Sequence, residues 1–346
     1  MMTMVAAVAA SLIAACAGAE PSPWTHRNYL DNPEDFHFAI VPDRTGGDYR
    51  GAFTNALAKL NLMRPEFAIC VGDLIPAGWL KEDKVRAQQT ELTNMLAKVV
   101  PPFCVVVGNH DISRSEPRFP QANEISTKVW KEHFGPDTYF SFVYKKVLFI
   151  CLNTMEGRDN RPKQCGITPE QYAWFKRTLD ENKDARWTCI FMHQPGVWNT
   201  TDWMRFEKET LVPHGRYTVF AGDWHCYYHA RRYGFDYYVL SVAGGTSSVN
   251  AHVPEKRPIL LGPEYGEMDH IAWVTMTKDG PVVANLLIDG ILPGDYLNQG
   301  TSKSTVHTTP IDVPPDPKVV ERRDAQAKAN REKSAKATAE KKAKKH

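Results

Sequence analysis

The chain has 346 residues, of which 42% are hydrophobic and 24% are charged. That length and composition exclude a chain without a packed core and allow one large α/β domain or two smaller ones. The formal net charge of +2 is unevenly distributed, because residues 318–346 carry 11 Lys and Arg against 4 Asp and Glu, whereas the rest of the chain carries 31 against 36. The body of the protein is therefore mildly acidic, and the basic charge is confined to one end.

The N-terminal segment, residues 1–19, has the pattern of an export signal. Its run of Ala, Val, Leu and Ile is as long as the apolar part of such a signal and too short to span a membrane. The small residues Ala-Gly-Ala at 17–19 are typical of a cleavage site, whereas Ile-Ala-Ala-Cys at 13–16 indicates the alternative of a lipoprotein signal cleaved before Cys16. We therefore expect an exported protein, periplasmic, cell-envelope or secreted, with membrane anchoring through Cys16 in the second case.

The C-terminal segment, residues 301–346, contains a Pro/Thr-rich linker and then the basic low-complexity tail, so the predicted folded domain covers residues 20–300. We expect the tail to be solvated. The alternative is that it contacts anionic surfaces and is itself the functional part of the chain. No sequence-specific binding of nucleic acid is expected.

The seven cysteines include no C-x-x-C pair, so a thiolate zinc site is not expected. Cys165 and Cys226 would pair only in an oxidising compartment. The other cysteines of the folded region lie in or beside apolar runs, where a thiol packs as a small hydrophobic group; they are Cys70, Cys104, Cys151 and Cys189.

Predicted strands alternate with helices through residue 182, and strands dominate afterwards, which favours an α/β domain with sheets covered by helices. The helix at 168–182 has Pro169 at its first helical position, and Asp279 and Gly280 join the last two strands as a hairpin. Residues 112–136, 155–167 and 194–213 are predicted loops or lids. In chain order the elements are a strand at 37–42, a helix at 49–64, the strand in EFAICVGD, a helix at 82–99, the strand in PPFCVVVGNHD, a hairpin of TYFSFVY and VLFICLNT around Lys145 and Lys146, the helix at 168–182, and the strands in RWTCIFMHQP, YTVFAGD, DYYVLSVAGGT, HIAWVTMTK and PVVANLLID.

Five of these strands end in side chains that bind metals. Ligands at the ends of parallel strands converge at one edge of a sheet, and Asp, Asn and His without Cys suit Mn, Fe or Zn. Residues two apart share a face in an extended chain, so Asp223 and His225 are expected to point the same way. Taken singly, the aspartates also fit helix N-caps and the lone histidine a packed side chain. The strand-end residues are Asp43, Asp73, the run Asn109, His110 and Asp111, then His193, and finally Asp223 and His225.

The order strand-Asp, Gly-Asp, Gly-Asn-His-Asp, lone His and Gly-x-x-His resembles the calcineurin-like metallophosphoesterases over residues 37 to about 245. The resemblance implies a two-sheet α/β sandwich with flanking helices and a centre of two divalent metal ions, Mn, Fe or Zn. It also implies hydrolysis of a phosphate mono- or diester, with a small molecule or a polymer as the substrate.

The same resemblance implies a role for each motif residue. Asp73 is similar to the carboxylate that bridges the two metals, and Asp43 and His225 are similar to ligands of the first metal. Asn109 and His193 are similar to ligands of the second metal. His110 is similar to the histidine that contacts the phosphate and protonates the leaving oxygen, and Asp111 is expected to orient it.

Two positions depart from the family pattern. The first motif of the family is Asp-x-His, and here Thr45 stands in place of that histidine; the last is Gly-His-x-His, and here Asp223 replaces its first histidine. Asp223 is expected to bind the second metal. A third carboxylate lowers the positive charge of the centre, and Arg44 is predicted to compensate as a phosphate clamp. The alternative is a non-catalytic or metal-poor binding module on the same fold.

Three further segments have two interpretations each. Residues 243–248, AGGTSS, either line the site with backbone N–H groups or form an ordinary glycine turn. Asp269 and His270 either support the site or have a capping or core role. Trp198 and Trp203 either stack on a ring of the substrate or pack within a lid.

Overall fold

The computed structural model of the protein describes residues 30–46, 51–76, 81–112, 122–156, 165–245, 265–266 and 268–291. The chain divides into two units, Met1–Asp35 and Phe36–His346. In the described part of the first unit, the backbone N–H of Asp35 donates to the carbonyl of Asn32 at 3.0 Å. The predicted export signal, the linker and the basic tail lie outside the described residues.

The second unit contains twelve strands and six α-helices among its described residues. The strands are β1 (Phe36–Val41), β2 (Phe67–Cys70), β3 (Phe103–Cys104), β4 (Phe140–Tyr144), β5 (Val147–Cys151), β6 (Trp187–Phe191), β7 (Tyr217–Ala221), β8 (Tyr227–Arg232), β9 (Phe235–Val239), β10 (Tyr265–Gly266), β11 (His270–Thr277) and β12 (Gly280–Leu287). The helices are α1 (Ala52–Met63), α2 (Glu82–Leu96), α3 (Ala122–Phe134), α4 (Pro169–Glu181), α5 (Thr201–Phe206) and α6 (Val212–His214), with a π-helical turn at Glu207–Leu211 and 3₁₀ turns at Pro195–Asn199 and Ile288–Gly290.

The strands form two sheets. The first has the order β12-β11-β1-β2-β3, and the second has the order β10-β8-β9-β7-β6-β5-β4. In the first sheet β1, β2 and β3 are parallel, and in the second β5, β6, β7 and β9 are parallel. Val242, just beyond β9, pairs with Asp43 beyond β1 and with Asp269 before β11. The carboxyl ends of the parallel strands from both sheets therefore meet at one corner of the unit.

A layer of phenylalanine rings holds the two sheets face to face. Phe38 of β1 stacks on Phe67 of β2 at 5.3 Å between ring centroids, and both meet the edge of Phe149 from β5, at 5.3 and 5.1 Å. Edge-to-face and stacked pairs of this kind add to the stabilisation from burial alone. The predicted two-sheet sandwich is confirmed by this arrangement.

Helices cover the sheets. Buried apolar residues of α1, α2 and α3 belong to the same core as the first sheet, and α4 together with residues 195–211 packs on the second sheet. The predicted start of α4 is confirmed, since the Thr168 side chain accepts a hydrogen bond from the Gln171 backbone N–H at 3.2 Å. The hairpin of β4 and β5 is also confirmed, with Lys145 and Lys146 both at positive φ.

Two of the predicted loops are wrong. Residues 122–134, within the predicted loop 112–136, form helix α3, because Ile125 and Val129 lie four residues apart and pack into the core beside Trp130. Residues 201–214, nearly all of them in the predicted loop 194–213, are helical, and Trp203 and Leu211 are buried. Strand β8 was not predicted, since its residues are mostly half-buried and show no regular alternation.

Among the described residues, Cys165 and Cys226 are not joined by a disulfide. Burial raises the pKa of Cys104 to about 11, which keeps that thiol neutral and consistent with a packing role. Within the ranges described above, no helix combines the length and the apolar character that a membrane span requires.

Candidate metal centre

The polar residues that follow five strands come together at the corner where the two sheets meet. His193, after β6, is central to this cluster. Its Nε2 lies 3.1 Å from Asn109 Oδ1, 3.2 Å from Asp73 Oδ1 and 3.5 Å from Asp223 Oδ1. Its other ring nitrogen, Nδ1, lies 2.8 Å from the backbone carbonyl of Val71, so the ring orientation is set by the fold. The sequence prediction that these strand-end residues converge is therefore confirmed for both sheets.

The second part of the cluster lies around Asp43. His225 Nε2 is 3.5 Å from Asp43 Oδ2. Asp43, Asp73 and His225 each present one ligand atom within 4.8 Å of the others, which is an arrangement that can hold a metal ion. Asp43 is fully buried, and its Oδ1 has no hydrogen-bond partner in the part of the chain that the structure describes. A buried carboxylate oxygen without a partner is unfavourable unless a cation binds it, so this side of the cluster fits a metal.

Two motif glycines are required by close approach of the backbone to these carboxylates. A Cβ atom at Gly108 would collide with the backbone nitrogen and the carboxylate of Asp73, and a Cβ atom at Gly222 would collide with the carboxylate of Asp43. The Gly in GNHD and the Gly in GDWH therefore allow two neighbouring loops to approach the ligands, which any larger residue would prevent.

The turn that carries Asp223 and His225 is strained. Asp223 has φ 66° and His225 has φ 53°, both in the left-handed region, and Asp73 has φ 56°. Left-handed backbone is uncommon for residues other than glycine and is often found at functional sites. The turn is held by the Asp223 N–H, which donates to Asp43 Oδ2 at 2.9 Å, and by the Gly222 N–H, which donates to the carbonyl of His193 at 2.8 Å.

This turn corrects one expectation from the sequence. Asp223 and His225 do not share a face through extended geometry, because β7 ends at Ala221 and the backbone reverses. Asp223 approaches His193, whereas His225 approaches Asp43. The two side chains therefore serve opposite sides of the cluster, which is the distribution that two separate metal positions require.

Asp111 holds two loops together. Its Oδ2 accepts the backbone N–H groups of Gly108 and Asp73, and its Oδ1 accepts those of Leu74 and Ile75, at 2.8 to 3.0 Å. Burial and the charge of Asp73 raise the pKa of Asp111 to about 7, against the effect of these N–H donors. The contacts join the loops after β2 and β3, so Asp111 positions Asp73. Its predicted orienting effect on the ring of His110 stays a prediction.

His110 lies at the open side of the cluster. Its backbone N–H donates to Asp73 Oδ1 at 2.7 Å, and its ring Nε2 lies 3.9 Å from Asp73 Oδ2. The side chain is 30% exposed, in contrast to the buried Asp73 beside it. The ring is therefore accessible to a molecule in solvent while its backbone is anchored to the cluster.

The guanidinium of Arg44 is held by contacts within the protein. Its guanidinium donates to the carbonyl of Leu74 at 3.2 Å and to the Glu91 carboxylate at 2.9 Å, and it lies over the ring of Phe53 at 5.5 Å. The side chain is buried. A phosphate clamp at Arg44 would have to exchange these contacts for a substrate, so that role stays a prediction.

The charges of the cluster determine its protonation. Burial raises the pKa of Asp43. Burial also acts to raise the pKa of Asp73, but the charge and hydrogen bond of His193 outweigh it and lower that pKa to about 2. For His193, burial acts to lower the pKa, but the charges of Asp73 and Asp43 raise it well above its ordinary value. Metal binding requires neutral imidazole, so a metal ion would take the place of this proton among the carboxylates.

Two further residues complete the cluster. Thr45, two residues after Asp43 in the chain, is buried, and its hydroxyl oxygen has no partner among the described residues. Gln194 was not predicted; its Nε2 donates to Asn109 Oδ1 at 3.2 Å and helps to position that amide. The only signal for Gln194 in the sequence is its place directly after His193.

The sequence left two interpretations open for Trp198 and Trp203, for Asp269 and His270, and for the segment 243–248. Trp198 and Trp203 are buried in the core of the second sheet, which favours packing over substrate stacking. Asp269 Oδ1 accepts the Gly244 N–H at 3.0 Å, and His270 Nε2 accepts the Ser241 N–H at 3.0 Å, so both support the backbone after β9. Of the segment 243–248, residues 246–248 lie outside the described residues.

The chain is similar to known proteins in sequence family and in fold. Residues 35–241 match the family model described as calcineurin-like phosphoesterase. No curated protein matches the chain. Similarity to solved structures at such low identity, 12–13% for the three named here, shows the fold alone. They include PhoD (12% identity, 72% of this chain and 68% of that chain, TM-score 0.53), the purple acid phosphatase PPD1 of yellow lupin, Lupinus luteus (13%, 75% and 52%, 0.54), and GAP50, the anchor in the inner membrane complex of Plasmodium (13%, 75% and 86%, 0.50).

Proposed function

Because the chain belongs to the calcineurin-like phosphoesterase family, we propose that it hydrolyses phosphate mono- or diesters with two divalent metal ions at the cluster described above. The observation that supports this proposal most strongly is the position of Asp73. Its carboxylate lies between His193, at 3.2 Å, and the group formed with Asp43 and His225. Because this carboxylate is close to both groups, Asp73 would be a ligand shared by the two ions, which together would supply the chemistry of a two-metal site.

The donor atoms divide into two sets. Asp43, Asp73, Thr45 and His225 would hold the first ion. The second ion would be held by Asp73, Asn109, His193 and Asp223. Each set then has one imidazole nitrogen and several oxygens, a combination that suits Mn, Fe or Zn. When bound, the two ions supply Lewis-acid chemistry, since they neutralise charge on the phosphoryl oxygens and make water a better nucleophile.

The protein's own contribution to the reaction is orientation and proton transfer. His110 has an accessible ring and a backbone anchored by Asp73. A histidine in this position is suited to protonate the oxygen of the departing alcohol, because imidazole is the side chain that most often transfers protons in catalysis. Asp111 keeps the loops of Asp73 and His110 in register through its four N–H contacts.

The test is a hydrolysis assay with aryl phosphate mono- and diesters after the protein has been loaded with Mn²⁺, Fe²⁺ or Zn²⁺. We expect turnover that depends on the added metal and is lost in Asp73→Asn, which removes the charge of the bridge with little change in shape. Asp180→Asn, at an exposed ion pair of α4 with Lys176, is the matched control and should retain full activity. Equal residual turnover in wild type and Asp73→Asn would contradict the proposal.

A second candidate function is a binding module with a metal-poor centre. The observation that favours it is the pair of departures, Thr45 and Asp223, which lower the imidazole content and the positive charge of the centre. GAP50, similar in fold, is described as an anchor, so binding roles occur on this architecture. The metal content separates the two functions, because an enzyme with two ions should retain two equivalents per chain and a binding module less than one.

Export and the basic tail add two proposals based on the sequence. We propose that the chain is exported, with cleavage after residue 19 or before Cys16, and that residues 318–346 contact anionic surfaces. The mass of the N-terminal peptide from the native host tests export, since an intact N-terminus would contradict it. Binding to vesicles with anionic lipids, compared with a chain lacking residues 318–346, tests the tail; unchanged binding would remove that role.

A further inference from the structure

Trp224 is a large apolar side chain at the edge of the candidate metal centre. It lies between Asp223 and His225 in the chain, yet it is 40% exposed. The other exposed large apolar residues of the second unit, as far as the structure describes it, lie outside the segment 222–225: Leu62, Val100, Val143, Met204, Tyr233 and Val282. The exposure of Trp224 therefore coincides with the site of the chemistry.

The backbone of Trp224 is held rigidly with respect to the proposed ligands. Its N–H donates to the carbonyl of Gly222 at 2.8 Å, and the residues on either side have left-handed φ angles of 66° and 53°. Consecutive Cα atoms are about 3.8 Å apart, so the indole starts one residue from a proposed ligand of each metal. The Cα atom of Trp224 therefore cannot shift far without disturbing these ligands.

The indole is also supported by other aromatic rings. Its centroid lies 6.4 Å from that of Trp198 and 6.2 Å from that of Tyr228, in tilted arrangements. Trp198 is itself buried and ordered, since its Nε1–H contacts the Met192 sulfur at 3.3 Å and its ring meets the edge of Tyr237 at 5.0 Å. Trp224 is thus supported by core rings while part of its surface faces solvent.

We propose that Trp224 determines substrate specificity by stacking on a planar aromatic ring carried by the phosphate ester. This inference rests on the proposed function, because the phosphoryl group must sit at the metal centre for its substituent to reach the indole. The ligand class is a phosphate ester with a nucleobase or an aryl group. Stacking does not depend on the identity of the ring, since each planar ring offers a π face.

The test uses two pairs of phosphate monoesters; in each pair both leaving groups are primary alcohols, and only one of them carries the planar ring. Adenosine 5′-monophosphate is compared with ribose 5-phosphate, and benzyl phosphate with cyclohexylmethyl phosphate. The first pair tests a nucleobase and the second an aryl group. We expect Trp224→Ala to raise KM about 5- to 100-fold for the planar member of at least one pair, to leave kcat and the non-planar member nearly unchanged, and to be largely rescued by Trp224→Phe.

Two controls separate stacking from a structural effect. Met204→Ala removes an exposed apolar side chain from α5 and should leave KM unchanged for all four esters. The metal content of Trp224→Ala should equal that of wild type, which shows that the ligand turn is intact. An equal loss for both members of both pairs, or no rescue by Trp224→Phe, would overturn the proposal.

Failure of the inference is distinguishable from failure of the proposed function. If the metal-loaded wild type hydrolyses neither these four monoesters nor the aryl mono- and diesters of the assay above, the proposed function fails. The inference is then decided by calorimetric binding of adenosine 5′-monophosphate and ribose 5-phosphate to the same metal-loaded protein. Tighter binding of the nucleotide, lost in Trp224→Ala, supports the stacking site, and equal binding overturns it.

Discussion

The candidate metal centre has two halves that are built in different ways. The inner half lies on the loops after β2, β3 and β6, where carboxylates accept backbone N–H groups from neighbouring loops. The outer half lies on the single turn after β7, where the backbone is left-handed and the side chains reach solvent. We define the inner half as Asp73, Asn109, Asp111 and His193, and the outer half as Asp223, Trp224 and His225.

Burial separates the two halves. The side chain of His193 is 0% exposed, whereas those of His225 and Asp223 are 14% and 27% exposed. Substitutions in the inner half therefore remove metal ligation and backbone contacts together, so they should affect both stability and metal content. Substitutions in the outer half should affect metal binding and specificity while the fold remains intact. This difference makes the outer turn the place where the chemistry can change at little structural cost.

The largest effect is expected at Gly108. A Cβ atom there would overlap the backbone nitrogen of Asp73, so the loops after β2 and β3 must separate. Gly108→Ala should lower the free energy of unfolding by about 3 kcal/mol and remove bound metal, as measured by urea denaturation and metal analysis. Gly290→Ala is the control, because the nearest atom to its Cβ would be at 3.9 Å. A Gly108→Ala variant as stable as this control would contradict the role of the inner half.

A second effect is expected at Asp111. In Asp111→Asn, the amide nitrogen would replace one acceptor oxygen and face two backbone N–H groups. Leaving buried donors without an acceptor costs about 1–3 kcal/mol, and the metal content should fall because Asp73 is no longer held. Asp180→Asn, at an exposed position of α4, should change the unfolding midpoint little. Unchanged stability in Asp111→Asn would show that the loops are held by other contacts.

The outer half rests on the fold through a buried histidine. Ser241 donates its hydroxyl to the carbonyl of His225 at 3.3 Å, and its N–H donates to His270 Nε2 at 3.0 Å. Burial lowers the pKa of His270 to about 4, below its value of about 6.5 in an unfolded chain. The unfolded chain therefore binds more protons between these values, and stability falls as the pH falls from 6.5 towards 4.

This protonation gives a measurable pH dependence. Between pH 7 and pH 5 the loss attributable to His270 is about 2 kcal/mol. His270→Gln retains an acceptor for the Ser241 N–H and does not titrate, so its unfolding free energy should fall less over this range than that of wild type. Parallel pH profiles for the two proteins would contradict the proposed burial of a neutral ring.

The smallest effect on stability is expected at Asp223. Asp223→His should change the free energy of unfolding by no more than about 0.5 kcal/mol, because the side chain is part-exposed and its backbone contacts remain. It should nevertheless increase the binding of Zn²⁺ relative to Mn²⁺ at the second position, since imidazole is the softer donor. Asp202→His on α5 is the control. If metal content and turnover are untouched, Asp223 is not a ligand and the strand end is a polar turn.

Much of the site could be predicted because several of its residues directly follow buried parallel strands. Asp43, Asp73 and His193 each come after a buried parallel strand, and parallel strands place their carboxyl ends together. The sequence also predicted the start of α4 from Thr168 and Pro169, because capping depends on neighbours in the chain. Local patterns therefore predicted the elements, and their order predicted the convergence.

What the sequence did not predict depends on contacts between distant segments. The left-handed turn at Asp223 is stabilised by Asp43, 180 residues earlier, and Gln194 meets Asn109 across 85 residues. Three of the four N–H groups that donate to Asp111 belong to a loop 36 to 38 residues away. Tertiary contacts of this kind override the expectation of an extended chain, and a pattern within one segment carries no record of them.

The presence of two metal ions around Asp73 is tested most directly by metal analysis of the purified protein combined with anomalous scattering from its crystals. We expect two equivalents of divalent metal per chain and two anomalous peaks on either side of the Asp73 carboxylate, one near Asp43 and His225 and one near His193. Less than one equivalent per chain, or a single peak that does not contact Asp73, would contradict a dinuclear phosphoesterase centre.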